Sequence, residues 1–327
     1  MHNIKRKEAF VLGKFVFKRF LSAIPVMLII LVLVFCLMRM VPGNPMYTIQ
    51  ADANLTEEEM FILQEKYGLN GTIFDQFWAY IKRVAVGDWG TSYFNGKAVF
   101  ENIFARMEPT ILITLLSTVI TLILGVPIGM YCATHHNSKL DLVLSSTSML
   151  FTIVPSFCFG VGLLYVFAFK LQWFPLYGYQ YIEKVGLLES LRHVFLPSLA
   201  IGLSGMAGYA RHTRSQMLDV LNSDYIRTAR AKGLADRAVY YRHALRNVLS
   251  YMITMVSGTI TVNLGGATVL EKVFNIPGVG LLSYSSLFGK DYPQEQAILI
   301  FFAAIFVFTN IFLDIIYKVL DPRIELD

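Results

Sequence analysis

The sequence predicts an all-α polytopic membrane protein with six membrane-crossing helices and a folded segment outside the membrane after the first of them. Three observations carry that expectation. The 327 residues are 55% apolar and only 16% charged, with a mean hydropathy of +0.53, which leaves too little polar surface to cover a soluble core. Six stretches are apolar and almost free of charge, at lengths close to the roughly 20 residues a helix needs to cross the hydrocarbon layer. A basic polar segment, Arg211 to Asn247, interrupts them.

In chain order, a basic leader (residues 1–19, with Lys5, Arg6, Lys7, Lys14, Lys18 and Arg19) precedes the first span, 20–38. The length of that span, and an LMRMVPG exit without small residues spaced for cleavage, favour a retained helix over a signal peptide. An outer segment follows at 39–109, and then a five-helix core at 110–320 with spans at 110–134, 142–169, 194–210, 247–270 and 296–317. A short tail, 321–327, ends the chain. Only the sixth span holds an acid, Asp314, near one end.

Lysine and arginine are retained on the cytoplasmic side of short connections. The leader and the eight basic residues between Arg211 and Arg246 therefore belong inside, with the Lys139 loop and the tail. Residues 40–109, 170–192 and 271–295 then fall outside. Cys36, Cys132 and Cys158 all lie within spans and read as small apolar packing groups, not as a disulfide framework.

The outer segment carries folding signals of its own. Leu55, Thr56, Glu59 and Met60 fit a hydrophobic staple around a capping box, opening a helix from Glu57 to Tyr67 that Gly68 can stop. A second helix, Ile73 to Val84, has Phe74, Phe77, Trp78 and Ile81 at helical spacing. The segment reads as a rim that receives a delivery protein, as a cap over helix ends, or as both.

Within the spans, Gly125 and Gly129 form a small-xxx-small pair, and Gly202, Gly205 and Gly208 cluster on one side of the fourth span. The cluster fits either a moving interface or close static packing. The chain has no HExxH, no phosphate loop and no embedded acid pair suited to proton coupling. ATP, if used, is hydrolysed by another polypeptide.

The polar segment offers that polypeptide a surface. Ser223 or Asp224 can cap a short helix with Ile226, Ala229 and Gly233 near one face and Arg227, Arg230 and Lys232 on more polar faces. A solvated basic loop that only enforces topology is the plainer alternative, and nucleic-acid binding a poor third.

The phrase DYIRTARAKGL, followed by HALRN, resembles the cytoplasmic EAA-type loop of binding-protein-dependent ABC importer permeases, in the form found in the dipeptide, oligopeptide and nickel family. Aligned on Gly233, the three EAA positions are Arg227, Thr228 and Ala229, of which only the last matches; Leu245 fits the later apolar position and Arg246 replaces a proline. VPGNP, GDWGTS, EKVFNIPGVG, KDYP and DPR follow in the family's order, so the resemblance spans almost the whole chain.

The resemblance implies six spans of ABC importer permease type in a bacterial or archaeal cytoplasmic membrane. It implies a homologous second permease, two cytoplasmic ATP-binding subunits that use ATP and Mg, and an extracytoplasmic peptide-binding protein. The chain itself would bind no cofactor or metal, carry no catalytic residue and touch only lipid besides these partners. Asp224, Arg227, Thr228, Ala229, Gly233 and Leu234 would couple to the ATPases. Glu271, Phe274, Pro277, Gly278 and Gly280 would organise an outer turn, because NIPGVG interrupts a helix and frees backbone groups that need partners. Asn263 either lines the pathway or bridges two helices. Peptides are the expected solute, since the spans hold no histidine or acid cluster for nickel; a nickel or nickel-chelate importer is the alternative within the family. An independent secondary transporter is the alternative of another class.

Overall fold

The computed structural model describes residues 2–40, 56–66 and 71–320, and within the helices some side chains, including those of 2–17 and 316–320, lie outside the description. The staple residues Leu55 and Met60, the helix stop at Gly68, VPGNP at 41–45, the Asp314 side chain and the tail with DPR at 321–323 lie outside the described residues.

Among the described residues the regular elements are helices, joined by turns and loops, with an isolated bridge between Thr91 and Ala98. It divides into two compact units, residues 1–107 with 279–308 and residues 108–278 with 309–327.

The first unit begins with α1 (His2–Met40), which passes through Pro25, and continues with α2 (Glu57–Lys66). Thr56 and Glu59 form the expected capping box: the Thr56 N–H donates to Glu59 Oε2 at 2.9 Å and the Glu59 N–H to Thr56 Oγ1 at 3.4 Å. The next helix, α3 (Ile73–Ala85), has a capping box of its own between Thr72 and Asp75. Its apolar stripe divides. Phe77, Ile81 and Val84 pack with buried Tyr80 against Leu31, Val34, Phe35 and Met38 of α1, whereas Phe74 and Trp78 are exposed. A short α4 (Val99–Phe104) and, after the excursion into the second unit, α13 (Val279–Gly289) and the start of α14 (Tyr292–Leu320) complete this unit.

The second unit is built on α5 (Met107–Thr134), α9 (Leu187–Leu221) and α12 (Leu245–Val273). Small residues bring α5 and α9 together: a Cβ on Gly129 would stand 2.4 Å from the Ala210 carbonyl, and one on Gly202 would stand 2.6 Å from the Ile120 side chain. Gly125 and Gly205 are equally tight, whereas Gly208 has open space. Close packing therefore accounts for Gly202 and Gly205.

One expected element differs. The stretch expected to cross the membrane as a continuous helix over 142–169 is two helices, α6 (Lys139–Ile153) and α7 (Ser156–Leu163), bent by 96° with a π-helical turn Leu164–Lys170 completing the second. Pro155 explains the break: its ring drives the preceding residue out of the α region, and Val154 is extended, with ψ 123°. By length and composition, α1, α5 and α14 can each cross a bilayer, and the bent pair can supply a fourth crossing. A short α8 (Ile182–Val185) precedes α9.

Candidate coupling surface and outer turn

The polar segment folds as α10 (Asp224–Ala231), α11 (Asp236–Ala238) and a π-helical stretch Val239–Ala244 that runs into α12. Ser223 occupies the N-cap position by backbone alone: its carbonyl accepts from the Ile226 and Arg227 N–H groups, while its hydroxyl donates back to the Val220 carbonyl. Asp224, one of the two residues expected to cap, is instead the first helical residue, 98% exposed, with Arg227 at 3.6 Å.

The helix buries one face. Ile226 and Ala229 join Met217, Val239, Ala244, Val248 and Met252 in an apolar cluster, and full burial of the Ile226 side chain stabilises the attachment by about 2 kcal/mol. Thr228 donates to the Asp224 carbonyl inside the helix, and Arg230 sits 3.5 Å from Asp236. Such exposed pairs contribute little, about 0–1 kcal/mol each. Gly233 does not share the buried face with Ile226 and Ala229, as the spacing suggested; it is exposed and ends the helix with φ +79° and an N–H to the Arg230 carbonyl. No heavy atom lies within 4 Å of where its Cβ would stand, so the glycine serves the turn. Leu234 follows at 41% exposure. The result is a helix seated by its buried face, which with the turn after it leaves Tyr225, Arg227, Arg230, Lys232 and Leu234 exposed.

The same unit holds a brace that the sequence did not announce. Arg214 on α9 donates from Nε and Nη2 to the two carboxylate oxygens of buried Asp141 in the first turn of α6, both at 2.9 Å. Asp141 also accepts from the Asn137 N–H and the Ser145 hydroxyl. No spacing rule links residues so far apart in sequence. The only signals were an acid beside a capping serine and an arginine just past an apolar run.

Near the end of α12, the second unit's part of the expected outer turn is closely packed. Glu271 is fully buried near the end of α12 and accepts from the Thr110 hydroxyl at 2.6 Å. Phe274 caps α12 and is buried, its carbonyl accepting from the Gly178 N–H at 2.9 Å. The Ile276 N–H turns back to the Glu271 carbonyl. Gly278 lies flush against the carboxylate, where a Cβ would stand 2.2 Å from Glu271 Cδ. Pro277 is half-buried, and Gly280, which belongs to the first unit, is buried in the first turn of α13.

Asn263 takes the helix-bridging option. It is 4% exposed, and its amide donates to the Ser117 and Thr118 hydroxyls of α5 at 3.0 and 3.1 Å. Of the two readings, the bridge between α12 and α5 is the one this geometry supports.

Residues 125–326 match the family of binding-protein-dependent transport system inner membrane components, and residues 12–117 match the N-terminal region of the same kind of component. The chain belongs to this family of permeases. It is 38% identical to the oligopeptide transport system permease protein of Bacillus subtilis, over 96% of this chain and all of that one. It is 34% identical to a probable peptide ABC transporter permease of Sinorhizobium fredii, over 96% of this chain and the whole of the relative. It is 36% identical to the glutathione transport system permease protein of Salmonella paratyphi A, over 95% of this chain and 98% of that protein. Among solved structures, an inward-facing methionine ABC transporter superposes with a TM-score of 0.56 at 14% identity, over 67% of this permease and 96% of that chain. That likeness shows a shared fold, and the family identifies a multi-pass inner-membrane transport subunit.

Proposed function

We propose that this permease is one membrane subunit of an ATP-driven importer of peptides, paired with a homologous permease, two cytoplasmic ATPases and an external peptide-binding protein. The observation that supports it most is α10: a short helix seated on an apolar cluster, ended by a positive-φ glycine, with Arg227, Arg230, Lys232 and Leu234 turned outward. Peptide as the solute is supported by relatives described as oligopeptide, peptide and glutathione permeases.

In this reading the chain crosses the membrane six times with both ends in the cytoplasm, α9 and α12 supplying crossings beside α1, α5, the bent α6–α7 pair and α14. Asp224, Arg227, Thr228, Ala229, Gly233 and Leu234 form the docking helix and its turn. ATP binding closes the ATPase pair and draws the docking helices together; α9, which leads into that helix, and α12, which follows it through α11 and the π-helical stretch, carry the movement outward. Glu271, Phe274 and Gly278 hold the outer turn rigid while the pathway opens. The hydrolytic chemistry, with its ATP and Mg, belongs to the ATPases, and this subunit contributes a contact that differs between the two states, which coupling requires.

Uptake by the reconstituted complex with its native binding protein tests the assignment. Peptide pools should drive uptake and stimulate ATP hydrolysis. Stimulation by nickel with no response to peptides would overturn the solute class.

A further inference from the structure

Two motifs, GDWGTS and KDYP, have no part in the coupling surface, and in the first unit they meet. Asp291 accepts from the Ser92 hydroxyl and from the Tyr93 N–H. The Asn102 amide donates to Gln294, whose own amide donates to the Val99 carbonyl. Beside this seam a cavity of about 20 Å³ is lined by Arg39 of α1, Tyr80 and Arg83 of α3, Trp89, and Tyr292 and Gln296 of α14.

The wall of this cavity is rich in donors and in positive charge. Arg39 Nε and the Tyr80 hydroxyl are both buried without a hydrogen-bond partner among the described residues. The Arg39 guanidinium lies 5.1 Å over the Phe35 ring and 5.3 Å over the Tyr292 ring. Those faces favour the cation but take none of its in-plane N–H groups. Asp88 is the acid on this wall, and its Oδ1 is engaged by the Gly90 N–H. Two arginines and one carboxylate therefore line this small space, together with the two residues that carry orphaned groups able to donate. A water needs roughly 10–15 Å³ by this measure, so the space admits one small species and no peptide or nucleotide.

We propose that this cavity is a binding site for a small monovalent anion of halide size, held by the Arg39 Nε–H and the Tyr80 hydroxyl, with Arg83 adding positive charge. The anion completes hydrogen bonds that packing leaves open and ties α3 to the ends of α1 and α14 within the first unit. The inference does not depend on the solute of the importer.

Hydrogen exchange of residues 76–94, measured on the full chain in the assembly in which it purifies, tests it with chloride against gluconate at equal ionic strength. Chloride at ten times its dissociation constant should slow exchange about tenfold if it binds only the closed form. Tyr80→Phe should raise the chloride concentration for half effect, and Arg39→Gln should abolish the response, while Lys97→Gln, in an exposed pair with Glu101, should keep it. Equal exchange in the two salts means that water fills the cavity and overturns the proposal. An undiminished response in Arg39→Gln does the same, as does an unchanged half-effect concentration in Tyr80→Phe should Arg39→Gln fail to fold.

Discussion

Gly233 and Gly278 are small for different reasons, and substitutions should tell them apart. Gly233 holds φ +79° in open space, so a side chain there costs only backbone strain, about 1–2 kcal/mol for a residue that avoids the left-handed region. Gly233→Val should insert stably but transport poorly, and Gly233→Asn, which tolerates that region, should retain most uptake; equal uptake by both in proteoliposomes would remove the turn from the coupling role. Gly278 has no such latitude, because the side chain it would strike belongs to fully buried Glu271, itself held by Thr110. Gly278→Ala should therefore lower the thermal unfolding midpoint more than Gly233→Ala does, by the roughly 1–3 kcal/mol that an overpacked interior costs. A Gly278→Ala protein as stable as the parent would mean that the carboxylate is free to move.

At the scale of the elements, the Arg214–Asp141 brace joins α9, which leads into α10, to the first turn of α6. Asp141 is 2% exposed and Arg214 29% exposed. Removing the arginine strands a buried carboxylate, at a cost of about 3 kcal/mol or more. Arg214→Ala should thus be clearly less stable than Arg214→Ala combined with Asp141→Ala, as read by thermal unfolding of the detergent-solubilised protein, and the reverse order would contradict the brace. Sequence patterns made local features of this kind visible only where donor and acceptor are neighbours. The Thr56–Glu59 box was legible because cap and return contact lie three residues apart, and the stripe of α3 was legible as a helix. Which of its aromatics are buried was not: Phe77 faces α1 while Phe74 and Trp78 do not, and that depends on a partner the pattern does not name. The break at Pro155 was hidden by the apolar run on either side, although the proline marks it. The seating of Ile226 and Ala229 was readable from their spacing; the bridge from Asn263 to Ser117 and Thr118, like Arg214 to Asp141, joins positions that no periodicity relates.

For the whole molecule, the proposed orientation puts the outer segment and α13 on one side of the membrane and the docking helix on the other. Single cysteines at Glu65 and Ser285, both exposed, should react with an impermeant external reagent, and those at Lys139 and Lys232, also exposed, only from the cytoplasmic side. Asp291 itself, though placed in the same outer region by the sequence, is 2% exposed and would report burial instead of sidedness. Reaction of Lys232 variants from outside would invert the arrangement. The claim that this chain is a pathway subunit whose energy arrives through α10 meets its most direct test in purification followed by transport. The tagged chain should carry a second permease and two ATPases with it, and proteoliposomes should import peptide only when all of these, ATP and the binding protein are present. Peptide uptake at full rate by this chain alone, without ATPases, would contradict the account.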